Sequence, residues 1–217
     1  MMRFGWPFPK TGTPRILCLG AHSDDIEIGC GGTLLRLLAE RPNCHVDWIV
    51  FSASSARRRE ALESAHLFLK NMRSTKITIR SYQDGFFPYQ GAKIKKEFEE
   101  IKKKIKPDLI FTHYRHDLHQ DHRLLNELTW STFRNHSIWE YEIPKYDGDL
   151  GSPNIFVELS DAFCSQKIDH LVRVFGTQRS KHWFTRETFQ SLLRLRGMEA
   201  NASSQYAEAF YVRKLVL

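Results

Sequence analysis

Short apolar runs rich in β-branched and aromatic residues alternate along the chain with longer segments whose apolar positions recur at helical spacing. Strands are predicted at 15–21, 45–51, 76–81, 108–113, 138–143, 154–159 and 208–214. Helices are predicted at 28–40, 57–70, 91–105, 120–134, 161–175 and 186–196. This alternation is typical of βαβ units, in which successive strands run parallel. It predicts an α/β fold with a mainly parallel sheet, arranged as a Rossmann-like three-layer sandwich.

The length of 217 residues fits a single domain over 1–217, with 1–14 as an N-terminal extension. The extension carries Trp6 and Phe8, which we expect to pack on the core or on a neighbouring subunit. It lacks the continuous apolar stretch of a secretion signal. The apolar runs of the chain are far shorter than the ~20 residues that cross a bilayer. We therefore expect a cytoplasmic protein without an integral membrane span.

The cysteines and the charge restrict the possible partners. The four cysteines are widely spaced without a Cys-x-x-Cys pair, which predicts buried thiols and neither disulfides nor a thiolate zinc site. The net charge of +7 comes largely from basic runs at 57–59, 93–96 and 102–104. We expect these runs to form solvated helix faces, with attraction to an anionic substrate or membrane surface as the alternative. No nucleic-acid motif is present, so no nucleic-acid partner is expected.

Two segments far apart in sequence carry side chains with metal-binding chemistry. Ala21-His22-Ser23-Asp24-Asp25 follows one predicted strand, and His119-Gln120-Asp121-His122 follows another after a short loop. Both lie at carboxyl ends of parallel strands, which meet at one edge of the sheet, so we expect them to be adjacent. A His and an Asp from the first segment and a further His from the second suit zinc with an open coordination position. This composition predicts a catalytic metal site.

Other histidines and glycines near these segments allow simpler explanations. His113 and His116 are interpreted as non-ligands, one at the end of a strand and the other in the loop. Gly29, Gly31 and Gly32 match neither a Walker loop nor a dinucleotide fingerprint. Glycine costs about 1 kcal/mol in a helix relative to Ala, so these positions indicate close packing or close approach of a substrate.

The two segments together resemble the signatures of the LmbE/PIG-L family of zinc-dependent N-deacetylases. The first signature spans Ala21–Thr33 and the second spans Asp117–His122. Weaker similarities occur over most of the chain, at Arg57 with Glu60, Asp84-Gly85, Pro107–Ile110 and Tyr206–Phe210. The resemblance implies a zinc-dependent hydrolase with an α/β fold, which removes an N-acetyl group from an amino sugar.

The resemblance also implies the metal ligands. Zn²⁺ would be held by His22, Asp25 and His122. Two prolines that are usual in the family are replaced in this chain, by Ser23 and by Gln120. Both replacements leave the ligand chemistry intact. Three N and O ligands select weakly among divalent ions, so iron or another metal is the alternative to zinc.

The same resemblance assigns the proton-transfer residues. Asp24 would be the general base, His119 the acid or oxyanion-stabilising group, and Asp121 the carboxylate that orients His119. Zinc can lower the pKa of a water to about 7, and amide hydrolysis finally requires a proton on the leaving amine, so these roles are chemically consistent. The family often has a His where this chain has Phe175, which removes any substrate contact from that position.

The substrate is predicted only by class, as a small amino sugar or sugar conjugate with an N-acetyl group. Arg57 is the candidate for a substrate contact, against a role on its own helix. The aromatic residues Phe86, Phe87 and Tyr89 predict either a sugar-stacking surface or core packing. Alternatives to a deacetylase are a zinc amidase for a larger N-acyl or thiol-conjugate amide and a non-catalytic metal- or sugar-binding module. Family members often form trimers or hexamers, which makes a homo-oligomer an expectation.

Overall fold

The computed structural model describes residues 4–9, 11–72 and 74–215. Within these residues the chain forms seven strands, which are β1 (Arg15–Gly20), β2 (His45–Val50), β3 (Ser74–Ile79), β4 (Leu109–His113), β5 (Ser137–Tyr141), β6 (Ile155–Leu159) and β7 (Tyr206–Tyr211). Its α-helices are α1 (Asp25–Glu40), α2 (Ser55–Phe68), α3 (Gly91–Lys104), α4 (Gln120–Thr132), α5 (Asp161–Val174) and α6 (Arg186–Glu199). Short 3₁₀ helices cover Phe87–Gln90 and Gly176–Gln178.

The strands form one sheet in the order β3-β2-β1-β4-β5-β7-β6. The strands from β3 to β5 in this order pair with one another in parallel. Strand β7 runs antiparallel to both of its neighbours, β5 and β6. The prediction of an α/β fold with a mainly parallel sheet is therefore confirmed. The chain moves outward from β1 to β3 and then returns to place β4 on the other side of β1. Strand order thus reverses between β1 and β4, where open sheets of this kind have a crevice at their carboxyl edge.

The sheet is covered on both faces because its central strands are apolar on both sides. In β1, Ile16 and Cys18 belong to one buried cluster, while Leu17 and Leu19 belong to the other. The first cluster includes apolar side chains of α1, α2, α5 and α6. The second includes those of α3 and α4. Each cluster therefore joins the central strands to a different set of helices.

The predicted elements are present in the predicted order, with shifted ends. The largest shift at the site is in α1, which begins at Asp25 and not at residue 28. The Asp25 carboxylate accepts a 2.6 Å hydrogen bond from the backbone N–H of His22, and this bond closes the turn that starts the helix. The four cysteines are free and buried, as predicted. Among the described residues, no helix combines the length and apolar character needed to cross a membrane.

Trp6 and Phe8 of the N-terminal extension pack on the core of their own chain. Trp6 lies with its ring centroid 6.1 Å from that of Trp139, and its indole N–H donates a 2.7 Å hydrogen bond to Glu40. Phe8 stacks near Trp6 and contacts the same cluster. Of the two arrangements expected for Trp6 and Phe8, the structure shows packing within the chain.

The glycines of α1 are explained by close packing. A Cβ on Gly29 would lie 2.1 Å from the ring of Tyr141, and one on Gly31 would lie 2.6 Å from the ring of Phe68. A Cβ on Gly32 would lie 2.4 Å from a methyl group of Leu159. Each glycine thus lets a large side chain approach the helix backbone, which supports packing and not substrate approach.

We expect Gly29→Ala to lower the free energy of unfolding by about 1–3 kcal/mol, because the added methyl group overlaps a buried ring. The ring cannot simply move, since the Tyr141 hydroxyl donates a 2.6 Å hydrogen bond to the carbonyl of Leu19. Gly91→Ala is the matched control at a helical glycine, where the added Cβ would lie 3.9 Å from its nearest neighbour, Leu124. Urea unfolding of both variants tests the prediction, which would be wrong if both had wild-type stability.

Candidate functional site

The two sequence segments meet at the carboxyl edge because β1 and β4 are hydrogen-bonded neighbours. His22 Nδ1 lies 3.1 Å from His122 Nε2 and 3.4 Å from Asp25 Oδ2. His122 Nε2 lies 3.6 Å from the same Asp25 oxygen. Three potential ligand atoms therefore converge on one point, and they come from the three residues predicted to hold the metal.

The donor set fits a small divalent cation. A tetrahedral zinc ion with bonds of about 2.1 Å separates its ligand atoms by roughly 3.4 Å, close to the three distances above. The other ring nitrogen of each histidine faces a carboxylate, as is usual for metal-binding histidines. His22 Nε2 lies 3.0 Å from Asp84 Oδ1, and His122 Nδ1 lies 2.9 Å from Asp117 Oδ2.

The charges around Asp25 keep it ionised. Burial opposes ionisation, but His122, His113 and His22 hold the pKa of Asp25 well below its usual value. Burial would also lower the pKa of His22, yet the surrounding carboxylates, with Asp25 foremost, raise it well above its usual value. The cluster thus has a strong attraction for positive charge, which either a proton or a metal ion can satisfy.

Asp24 is buried at the start of α1, directly before Asp25. Its Oδ1 accepts a 2.7 Å hydrogen bond from Arg57 Nη2. Burial raises the pKa of Asp24, and the Arg57 guanidinium opposes that rise. Arg57 also lies 3.8 Å from Asp84. Arg57 therefore contacts two acidic side chains of the site. The sequence predicts for this residue either a substrate contact or a role on its own helix.

His119 precedes α4 as its N-cap residue. Its ring lies 4.5 Å from that of His122 and 4.8 Å from that of His22, measured between centroids. Its Nδ1 accepts a 3.2 Å hydrogen bond from the backbone N–H of Asp121, so the neutral ring carries its proton on Nε2. Burial, together with His22, lowers the pKa of His119. The neutral side chain is thus suited to donate a hydrogen bond from Nε2.

The contacts of Asp121 differ from the prediction that its carboxylate orients His119. Oδ2 accepts a 2.7 Å hydrogen bond from the backbone of Gly85, and Oδ1 accepts a 3.1 Å hydrogen bond from the backbone of Phe87. Oδ2 also lies 3.3 Å from His22 Nε2. The carboxylate is thus hydrogen-bonded to the neighbouring loop and lies close to His22, while the backbone N–H of Asp121 donates to the His119 ring.

Sequence reasoning missed the supporting role of two residues. His113, interpreted as a non-ligand, places Nε2 3.2 Å from Asp25 Oδ2 and stacks on the His122 ring at 3.9 Å. It could replace His22 in a ligand set with Asp25 and His122. Asp117 accepts hydrogen bonds from His122 and from the backbone of His119. The position of His113 at the end of β4, beside β1, was the signal that could have placed it here.

The aromatic segment after Asp84 divides into core and surface. Phe87 is fully buried with its ring centroid 6.0 Å from that of His22, whereas Phe86 and Tyr89 are 46% and 79% exposed. Phe175 is also fully buried and packs against Phe184. The residue at the position of the family's usual His is therefore part of the core.

Known structures share this fold. N,N'-diacetylchitobiose deacetylase from Pyrococcus horikoshii has a TM-score of 0.67 and 22% identity, over 92% of this chain and 83% of that one. Teicoplanin deacetylase Orf2, in a zinc-inhibited form, has a TM-score of 0.69 and 13% identity, over 91% and 97%. GalB, the 4-carboxy-2-hydroxymuconate hydratase from Pseudomonas putida KT2440, has a TM-score of 0.72 and 16% identity, over 94% and 98%. At these identities the likeness concerns the fold alone.

The sequence itself matches a protein family. The match covers residues 17–133, more than half of the chain, and the family is described as PIG-L, GlcNAc-PI de-N-acetylase. The matched range includes both segments that meet at the carboxyl edge. The chain therefore belongs to the PIG-L family of de-N-acetylases, as its two signatures predicted.

Proposed function

We propose that the protein is a zinc-dependent hydrolase that removes an N-acetyl group from an amino sugar. The observation that carries the proposal is the convergence of His22 Nδ1, Asp25 Oδ2 and His122 Nε2 within 3.1–3.6 Å of one another. Membership of a de-N-acetylase family supports the reaction type. Zinc bound by these residues would supply an acidified water and polarise the amide carbonyl.

Two other side chains would move the proton and stabilise the oxyanion. Asp24 is held in place by Arg57 and has a pKa raised by burial, so it can accept a proton from the attacking water. His119, with its proton on Nε2, can donate a hydrogen bond that stabilises the oxyanion, and the proton that Asp24 has taken from the water can then pass to the leaving amine. Asp121 fixes the His119 tautomer through its backbone N–H, while its carboxylate supports His22. These roles complete the hydrolysis without a further catalytic group.

The proposal also covers the substrate, the arrangement of the layers, the location and the oligomeric state. The chitobiose and teicoplanin deacetylases that share the fold support a sugar-linked amide as substrate. A larger N-acyl or thiol-conjugate amide is the alternative substrate. A Rossmann-like three-layer arrangement is supported by the sheet order and by the two buried clusters on opposite sides of the central strands. A cytoplasmic location and assembly into a homo-oligomer stay predictions from sequence.

A substrate panel tests the proposed function. We expect the purified protein to contain about one zinc per chain and to release acetate from at least one N-acetylated sugar or sugar conjugate. A chelator should abolish release, and added zinc should restore it. Longer N-acyl analogues in the same panel separate the amidase alternative. Stoichiometric zinc without release of any acid from any amide would contradict an enzymatic role and favour a binding module.

A further inference from the structure

Both backbone polar groups of Gly85 are hydrogen-bonded to side chains at the start of α4. Its N–H donates to Asp121 Oδ2 at 2.7 Å, and its carbonyl accepts a hydrogen bond from the side-chain amide of Gln120. The flanking residues are also fixed, since Asp84 contacts His22 and the backbone N–H of Phe87 donates to Asp121. The loop 84–90 is therefore fastened directly to the candidate metal site.

Gln120 supplies a contact that proline at this position cannot make. It is the first residue of α4, and the family's usual residue there is proline, which lacks a side-chain donor. The Gln120 amide therefore adds a specific restraint on the Gly85 carbonyl in this chain. Gly85 itself has φ of +76°, a conformation suited to glycine, so the restraint acts at the turn of the loop.

The fastened loop presents two exposed aromatic rings, one on each side of Phe87 in the sequence, and the Phe87 ring lies 6.0 Å from that of His22. The centroids of Phe86 and Tyr89 lie 5.9 Å apart with an angle of 53° between the ring planes. Phe87, between them, points into the core and anchors the loop. Two tilted rings on a rigid backbone form an apolar corner, and rings of this kind provide contact area at a low cost in conformational entropy.

We propose that Gln120 is a specificity-determining residue, which fixes Phe86 and Tyr89 as a wall that binds a second ring attached to the amino sugar. The inference rests on the proposed function, because it assigns the part of the substrate that extends beyond the hydrolysed amide. The ligand is a ring with an apolar face, either a second sugar or an aromatic aglycone. Phe86 and Tyr89 are exposed, so a ligand ring can contact them, whereas the buried Phe87 is out of reach.

The test compares two substrates, N-acetylglucosamine and a ring-extended glycoside of it. We expect wild-type kcat/KM to favour the ring-extended substrate by about tenfold, the effect of roughly 1.4 kcal/mol of contact energy. Phe86→Ala with Tyr89→Ala should bring the ratio close to one. Chitobiose and an aryl glycoside, used as separate ring-extended substrates, distinguish a sugar from an aromatic aglycone.

Gln120→Pro removes the hydrogen bond from the Gln120 side chain to the Gly85 carbonyl, with little risk to folding. Proline is favoured at the first position of a helix, and His119 already has φ of −70° and ψ of 121°, which the residue before a proline prefers. We expect the substrate ratio to fall by about threefold or more, the zinc content to stay constant, and the amides of 84–90 to exchange faster with deuterium. Gln166→Ala, which removes an exposed glutamine of α5, should leave the ratio and the exchange unchanged.

Three results would overturn the inference. These are equal kcat/KM for the two substrates in the wild-type protein, a preference that survives loss of both rings, or an altered oligomeric state as the main effect of losing them. If no sugar releases acetate, the proposed function fails separately. Ligand-observed NMR on the same proteins then decides the inference, since the ring-extended glycoside should bind more tightly than the monosaccharide and lose that advantage without the two rings.

Discussion

Asp24→Asn should bind zinc normally and deacetylate about a hundred- to ten-thousandfold more slowly, the usual effect of losing a general base. The asparagine oxygen can still accept the hydrogen bond that Arg57 donates to Asp24 Oδ1 at 2.7 Å. The change therefore removes the proton acceptor while keeping the shape of the site. Acetate release under saturating substrate, with metal content measured on the same sample, gives both quantities.

His119→Ala is the companion variant on the oxyanion side of the reaction. It should also retain zinc and lose most turnover, because the oxyanion then lacks the hydrogen bond that His119 Nε2 donates. The assignment would be wrong if either variant hydrolysed substrate at the wild-type rate. Loss of zinc from Asp24→Asn would instead place Asp24 among the metal ligands.

His122→Ala should lose both zinc and activity, because it removes one of the three converging ligand atoms. The stabilisation that zinc gives should be lost as well. A ligand at a hundred times its Kd stabilises the folded state by about 2.7 kcal/mol, so added zinc should raise the Tm of the wild-type protein and leave that of the variant unchanged.

His116→Ala is the matched control for this prediction. His116 lies in the same loop region but is exposed and contacts Tyr114, with ring centroids 5.4 Å apart. Its removal should leave zinc content and the zinc-dependent rise in Tm as in the wild-type protein. A full zinc response in His122→Ala would instead favour the candidate ligand set that lacks His122, which consists of His22, Asp84 and Asp121.

The parts of the fold that depend on local pattern could be predicted from sequence. Apolar β-rich runs gave the order of strands and helices, and the carboxyl edge of a parallel sheet gave the meeting of His22 with His122. The pairing partners of β7 could not be predicted, because direction in a sheet is set by tertiary neighbours and not by the composition of one strand.

The details of the site were predictable only as far as chemistry restricts them. Residue types indicated a metal site with spare proton-transfer groups, but they could not show which hydrogen bonds each carboxylate makes. Asp121 is the clear case, since Gly85 and Phe87 occupy the carboxylate that was expected on His119. Backbone N–H groups are common to almost all residues, so the sequence does not show which side chain each of them will bind. The three-dimensional structure is needed to identify these hydrogen bonds.

Two helices begin at the candidate site, α1 at Asp25 and α4 at Gln120. The amino end of a helix has a partial positive charge of about half a unit, because its first N–H groups lack partners within the helix. Both ends face the region where Asp24, Asp25, Asp117 and Asp121 are buried. The backbone thus offsets part of the free energy that burial of these four carboxylates costs. The electrostatic character of the cleft is therefore set by where two helices start as well as by its side chains.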